Sequence, residues 1–491
     1  MPNKARSRSV GLPTFRSRLF SPFQEILMFD SPVYKARRAA LTRFVKSGCI
    51  LLPGNDLIGM NYRANTFAFR QDGSFLYFTG LDRPGHCLWL DCESGEEILF
   101  GPQPGMEQTI WSGAVPSLSE LADFCGIKAS KPIHGLADTV RLARGQGRSI
   151  HYAPTYQGET VLLLCGVLGI SPQELEAGFS SLLVQGIVEL RSVKSAPEVA
   201  QIREAVALSA EVYGSLMDSC VPGAREMELY GRLQGLILAH GSREAFPMIL
   251  SRRGEVLHNH THDQTLRDGD LLLVDSGVVS PLGYASDITR TLPVGGRFTA
   301  RQKDIYEIVH NALAVGTLSM APGVPFLECH LAAARVVAGG LKDLGLMSGD
   351  PLDAVDRGAH ALFFPHGLGH MLGLDVHDME ALGEDFVGYD HEFKRAAQFG
   401  LSGLRMARRL RPGFVMTVEP GIYFIPALIR QWREQRQLEE FINYGALDAY
   451  LDFGGIRIED DVLVTEDGRD VLSKDIPKKV EDICKLMGEA S

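Results

Sequence analysis

The chain has 491 residues, too many for one core at ordinary domain sizes and enough for two large domains. Hydrophobic residues at 45% and charged residues at 22% exclude disordered and fibrous classes. Lys+Arg 49 against Asp+Glu 60 leaves a net charge of −11, which argues against a nucleic-acid partner, because phosphate contacts need a basic face.

In chain order, the first feature is basic: Lys4, Arg6, Arg8, Arg16 and Arg18 all precede the first acid, Glu25. An organellar transit peptide shares this composition, and the expectation is a disordered basic extension over residues 1–28. A secretory signal is disfavoured, since Gln24 and Glu25 cut short any apolar core. Ser31-Pro32 then opens an alanine-rich basic helix reaching Val45, with the serine as cap and the proline in the first turn. Short strands are expected at Cys49–Leu52, Phe75–Phe78 and Leu88–Leu90, parted by Pro53-Gly54-Asn55 and Arg83-Pro84-Gly85. The longest apolar run, Val161–Ile170, is broken by two glycines and falls short of the ~18–20 residues that span a bilayer. It reads as a buried segment, with no membrane partner. Eight cysteines are scattered with no CxxC pair, which excludes a zinc ribbon and suits free thiols in a reducing, cytoplasmic compartment. Composition changes near Leu190, and Lys194-Ser195-Ala196-Pro197-Glu198 caps a long amphipathic helix carrying Val199, Ile202, Val206 and Leu208. The expected domains are therefore 29–186, mixed α/β, and 187–491, where strands and helices interleave. No short-period repeat is visible.

Four segments of the second domain carry chemistry. Leu271–Val274 reads as a buried strand with Asp275 at its exit, and twelve residues on comes Asp287-Ile-Thr-Arg290, with Asp287 and Thr289 on one strand face. Pro281 and Gly283 lie between, so a hairpin can bring the two carboxylates together. His366-Gly-Leu-Gly-His370 and His377 put three histidines in twelve residues. The four-residue spacing is that of a helical HExxH zinc site, but Gly367 stands where its glutamate belongs and two glycines disfavour a helix. Val415–Glu419 ends an apolar strand on a carboxylate, whose burial without a partner costs several kcal/mol. In Gly454–Asp461 strict alternation puts Ile456, Ile458 and Asp460 on one face and Arg457, Glu459 and Asp461 on the other. Together these give four carboxylates and a histidine, a hard donor set suited to two divalent cations, whose +4 offsets the four carboxylates.

These segments, in this order, resemble the metallopeptidase family that contains methionine aminopeptidase, aminopeptidase P and prolidase (Xaa-Pro dipeptidase). The matching runs are Asp287-Ile-Thr-Arg-Thr, His366-Gly-Leu-Gly-His370, Thr417-Val-Glu419-Pro-Gly-Ile-Tyr and Arg457-Ile-Glu459-Asp. Phe69-Arg-Gln-Asp72 and Phe75-Leu-Tyr-Phe-Thr-Gly80 match the proline-specific branch, which methionine aminopeptidases do not share. The resemblance implies an α/β (α+β) chain: a C-terminal pita-bread catalytic domain behind a smaller N-terminal domain of aminopeptidase P type. It implies metal ligands at Asp275, Asp287, His370, Glu419 and Glu459, with Asp287 and Glu459 bridging two cations, Mn²⁺ first and Co²⁺ or Zn²⁺ as alternatives. It gives His258 and His377 substrate-facing roles, His366 stabilisation of the tetrahedral intermediate, Glu419 a proton shuttle and Arg457 support of Glu459. The implied reaction is hydrolysis of Xaa-Pro bonds in small proline-containing peptides by a metal-bridging hydroxide, in a homodimer or homotetramer. The Asp275–Asp287 gap is one residue longer than the family's usual spacing. His260 and His262 have no matching role and read as a polar loop.

Arg405 lies fourteen residues before Glu419, where prolidase resemblance puts an arginine that grips a dipeptide's carboxylate. A bidentate pair there selects dipeptides by length, so the reading leans to Xaa-Pro dipeptidase over Xaa-Pro aminopeptidase. With Arg408, Arg409 and Arg411 it could equally form a solvated basic face. A non-catalytic binding module or a metal-free hydrolase on the same fold is disfavoured by the five ligand positions. A dinuclear phosphatase lacks its basic clamp.

Overall fold

In a five-stranded sheet near the N-terminus, the three inner strands carry their side chains into two cores at once, which is what their apolar runs require. The computed structural model describes residues 28–489; the expected basic extension lies outside the described residues except for its last position. The sheet order is Ala129–Pro132, Glu97–Gly101, Cys87–Asp91, Cys49–Pro53, Ile150–His151. Its inner strands pair antiparallel and its two edge strands parallel. Ile50, Leu52, Leu88, Leu90 and Leu99 join the main core; Cys49, Leu51, Cys87, Trp89 and Phe100 form the second with Val140 and Leu164.

Two expectations change here. Phe75–Phe78 is not a strand but the middle of a helix, Gly73–Thr79. Asp72 accepts from the Phe75 N–H at 2.9 Å and Gly80 closes the far end in a left-handed conformation, so capping at both ends outweighs the β-preference of the aromatic run. Val161–Ile170 falls mostly in the helix Gly158–Leu168, which is one-sided rather than buried: Leu164 and Leu168 are covered while Leu162 stays 73% exposed. The helix Ser31–Val45 forms with Pro32 in its first turn, although Asp30 rather than Ser31 takes the cap position. A helix at Ser181–Ser192 runs unbroken through residue 186 and packs on it. The capping box expected at Ser195 is present, with Glu198 accepting from the Ser195 N–H at 2.9 Å, and opens the helix Ala196–Ser219.

The rest of the chain is built twice. Helices Ala196–Ser219 and Glu226–Ala239 are joined through Val221-Pro-Gly-Ala224; helices Ala300–Ser319 and Phe326–Asp343 through Ala321-Pro-Gly-Val324. In the first unit the Gly223 N–H donates to the Leu266 carbonyl and the Leu266 N–H to that of Ala224, both at 2.9 Å. In the second, Gly323 and Leu410 repeat the exchange through Val324 at 2.8 and 2.9 Å. Leu266-Arg-Asp-Gly leads into the strand Leu271–Ser276, Leu410-Arg-Pro-Gly into Val415–Val418, and Asp275 and Glu419 each stand nine residues past the leucine. The loops between differ in length, which hides the duplication from a search for fixed periods.

Each unit ends in an antiparallel sheet: Ile288–Pro293, Leu271–Ser276, Ile249–Ser251 in one, and Val415–Val418, Asp460–Val464, Arg469–Val471 in the other. The single alternating strand expected over Gly454–Asp461 is two. Gly455–Arg457 pairs with Gly421–Tyr423 and Asp460–Val464 with Val415–Val418, and the chain changes sheets at Ile458-Glu459. All eight cysteines are free; five are buried, and Cys92, Cys165 and Cys484 are partly exposed. Among the described residues, no helix is long and apolar enough to cross a membrane.

Candidate active site

Asp275, next to last in its strand, lies directly opposite Thr289, and Asp287 immediately precedes the paired strand, so the hairpin brings the two carboxylates to one end. The glycine-rich segment is an irregular strip laid against Val415–Val418. The Thr417 N–H donates to the His370 carbonyl at 2.9 Å, His370 N–H to Thr417 Oγ1 at 3.0 Å, and Glu419 N–H to the Leu368 carbonyl at 2.8 Å. That close approach needs Gly369, where a Cβ would fall on the Thr417 carbonyl oxygen. Pairing thus sets His370 beside Glu419, and the switch between sheets brings Glu459 in from the other side.

Ligand atoms of Asp287, His370 and Glu459 lie within 4.8 Å of one another. His370 Nε2 stands 3.4 Å from Asp287 Oδ2 and 3.6 Å from Glu419 Oε1. Asp275 is tied in through Arg457, whose Nη2 donates to its Oδ2 at 2.6 Å. Asp287, His370 and Glu459 thus form a tight group, with Glu419 beside His370 and Asp275 joined through Arg457; four of the five are buried, while Glu419 keeps part of its side chain exposed.

Electrostatics suits a cation at this point. Burial, then the charges of Glu459 and Asp275, push Asp287 well above the usual carboxylate range, and burial with Glu419 and Asp275 does the same to Glu459. Burial raises Glu419 to about 7 although Arg457 pulls the other way. Asp275 Oδ1 and Asp287 Oδ1 are buried without any hydrogen-bond partner. Buried carboxylates that repel and lack donors call for an ion. Burial drives His370 well below its ordinary value, and its Nδ1–H donates to the Met371 carbonyl at 3.0 Å, which leaves a neutral Nε2 lone pair facing the acids. Four carboxylates and one imidazole fit divalent metal.

Around this centre, Thr289 Oγ1 donates to Glu459 Oε2 at 2.6 Å and accepts from Arg457 Nε at 3.2 Å. Arg457 Nη1 donates to the Tyr423 hydroxyl at 2.9 Å, which donates onward to His366 Nε2 at 2.8 Å, while His366 Nδ1–H serves the Gly367 carbonyl. Burial, with Arg457 nearby, lowers His366 to about 3. Both of its nitrogens are engaged within the protein. His377 lies edge-on to His370, ring centroids 4.2 Å apart, with Nδ1 2.5 Å from Glu380 Oε2. His258 stands exposed at the rim, within reach of the charges of Arg457, Asp275, Arg405 and His377. Arg405 reaches the same cleft, its Nε 3.2 Å from Glu380 and 3.4 Å from Glu384. His262 departs from the polar-loop expectation: it is buried, bonded to the Leu250 carbonyl and stacked on Tyr230 at 4.5 Å. Sequence reading missed Tyr423, although it ends the Glu419-Pro-Gly-Ile-Tyr run, and Asp461, whose carboxylate accepts the Asp287 N–H at 3.1 Å.

A buried carboxylate–imidazole donor set beside a cleft lined by histidine and arginine is the layout of a metal-dependent hydrolase. Sequence comparison agrees. The model of metallopeptidase family M24 matches residues 200–466, and that of the aminopeptidase P N-terminal domain matches 34–151. The Xaa-Pro aminopeptidase of Escherichia coli is 31% identical over 432 residues, covering 86% of this chain and 89% of that one. The Xaa-Pro dipeptidase of Homo sapiens is 32% identical over 423 residues, covering 84% and 83%. Among solved structures, Zn-substituted E. coli aminopeptidase P in complex with product superposes with a TM-score of 0.77 at 28% identity, covering 95% of this chain and 100% of that one. The chain belongs to metallopeptidase family M24, with a pita-bread catalytic domain behind an aminopeptidase P N-terminal domain.

Proposed function

We propose that this protein is a metallo-exopeptidase that removes the residue preceding a proline at the N-terminus of short peptides. The observation that carries the reading is the buried group Asp287, His370 and Glu459, with Glu419 beside His370 and Asp275 tied in through Arg457, in a chain whose relatives are named for Xaa-Pro cleavage along most of their length. These five residues would hold two divalent cations, Mn²⁺ as first choice, which would supply Lewis acidity toward the scissile carbonyl and activate a water. The remaining work falls to side chains. Glu419, partly open to the cleft, carries a proton to the proline nitrogen as it leaves; that nitrogen has no hydrogen of its own. Arg457 holds Asp275 and, through Thr289, Glu459. His366 with Tyr423 and Arg457 forms a fixed wall, while His377, held at Nδ1 by Glu380, keeps Nε2 for the substrate, and His258 faces it from the rim.

Arg405 motivates a dipeptidase in sequence, but its guanidinium is balanced by Glu380 and Glu384, so a dipeptide carboxylate would have to displace them. Beyond His377 an open cleft walled by Arg70, Asp375 and Val376 gives room for residues past the proline. Both features favour Xaa-Pro aminopeptidase activity over Xaa-Pro dipeptidase activity. A manganese-supplemented assay of an Xaa-Pro dipeptide beside an Xaa-Pro-Yaa tripeptide decides: the tripeptide is expected to have at least about tenfold higher kcat/KM. The reverse preference restores the dipeptidase reading, and cleavage of neither removes both.

A further inference from the structure

The hairpin joining Asp275 to Asp287, a residue longer than resemblance implies, lines a cavity of about 320 Å³ that the proposed chemistry does not use. It lies between the N-terminal domain and the far side of the hairpin. Tyr34 and Leu76 wall one side, Leu282 and Tyr284 the other, and Leu374, from the segment between His370 and His377, closes an end. Gly283, at φ +92°, keeps it open, since a Cβ there would stand 2.9 Å from a Leu76 methyl group.

Two arginines reach this space. Arg37 is already held, its Nη1 donating to the Tyr77 carbonyl at 3.0 Å and its Nη2 3.1 Å from Glu198. Arg243 is not. Its Nη1 donates to the Phe69 carbonyl at 3.1 Å, but no carboxylate oxygen among the described residues lies within 4.0 Å of it. Burial depresses its guanidinium, Arg70 adds repulsion, and Asp82, which lines the same cavity, offsets this only in part; the two arginines, Arg37 and Arg243, outnumber that one acid along the lining. A cation short of a counter-charge beside aromatic and aliphatic walls selects an anion with an apolar body.

We propose that this cavity binds a small apolar carboxylate, of the size of phenylpropionate, and that occupancy alters turnover at the metal centre. The second part rests on the proposed peptidase activity; the first does not. The coupling is short: Leu282 and Tyr284 lie on the hairpin between Asp275 and Asp287, Leu374 follows His370 by four residues, and a hydrogen bond joins the two segments. The Ala285 N–H donates to the Gly373 carbonyl at 2.8 Å, so a ligand against Leu282, Tyr284 and Leu374 presses on both segments that carry metal ligands.

Calorimetric titration of the full chain with 3-phenylpropionate, with its neutral amide as control, tests the site. The acid is expected to bind one per chain, and the amide at least about tenfold more weakly. Arg243→Gln, which keeps a donor for the Phe69 carbonyl, is expected to weaken the acid by about tenfold or more. Leu282→Trp, which fills the space, abolishes binding, and Glu459→Gln, altered at the metal centre, binds as wild type does. No binding, equal binding of acid and amide, insensitivity to both cavity variants, or loss in Glu459→Gln each overturns the site. With an Xaa-Pro-Yaa tripeptide as substrate, saturating acid is expected to change wild-type turnover at least about twofold and leave Leu282→Trp unchanged. Saturation with constant turnover overturns the regulatory role alone, and a chain with no peptidase activity leaves the binding result standing.

Discussion

Thr289 is no metal ligand in the proposed centre, yet it fixes the direction of one. Its hydroxyl gives its proton to Glu459 Oε2 and takes one from Arg457 Nε, and it sits across the ladder from Asp275. A buried carboxylate oriented by a single hydroxyl loses that orientation when the hydroxyl goes, and outer-sphere partners of this kind typically tune metal affinity ~10–100-fold. Thr289→Val keeps the branched shape and removes the donor. Manganese titration of the variant is therefore expected to show affinity lowered by about 10–100-fold with the fold intact by circular dichroism. Wild-type affinity would mean that pairing alone positions Glu459. Asp461 acts through the main chain, since its carboxylate accepts the Asp287 N–H.

Elements bring these residues together, and that is where the sequence was only partly readable. Asp275, Asp287, Glu419 and Glu459 each stand at the end of a legible apolar or alternating run, and the glycine-rich histidine segment avoids a helix as its composition demands. What no local pattern shows is that the two halves repeat, with Leu266 and Leu410 as their common reference, because the intervening loops differ. Helix Gly73–Thr79 reads as a strand because aromatic residues favour strands, although Asp72 and Gly80 mark its two caps. Gly369→Ala drives a methyl group into the Thr417 carbonyl and must lift the histidine strip from its strand; a cost of about 1–3 kcal/mol or more is expected, with metal affinity falling alongside the melting temperature. An unchanged affinity would show that His370 is held by other means. Asp72, raised to about 6 by burial and by Asp375 nearby, takes up its proton well above the ordinary 3.8. Between those values the folded chain binds more protons than the unfolded one, so stability declines as pH rises from about 4 to about 6. Asp72→Asn keeps the cap oxygen and removes the titration. Its melting temperature should fall less than that of wild type across this window, and parallel curves would reject the assignment.

At the scale of the whole molecule, the two domains are joined by charges that also hold the site. Asp378, one residue past His377, accepts from Arg191 Nη2 at 2.7 Å and Lys194 Nζ at 2.9 Å. Burial would raise its carboxyl, but Lys194 and Arg191 hold it below the usual range. Arg191 reaches on to Ser74 Oγ at 2.9 Å, in the N-terminal domain, while the Asp378 N–H donates to the Met371 carbonyl beside His370. Three buried charges thus tie the N-terminal helix, the start of the catalytic domain and the histidine strip into one unit. Asp378→Asn removes the only negative charge Lys194 has within ion-pair distance among the described residues and leaves two buried cations undercompensated. Breaking one side of a buried network typically costs about 3–5 kcal/mol. A clear fall in melting temperature is expected, together with weaker metal binding, because the strip that carries His370 loses its anchor. If charge rather than packing is responsible, removing the stranded cation must return part of the loss. The double variant Lys194→Met/Asp378→Asn should then melt above Asp378→Asn alone. A double variant no more stable than the single one would show that the domains are held by apolar contact, with the ion pairs incidental to it.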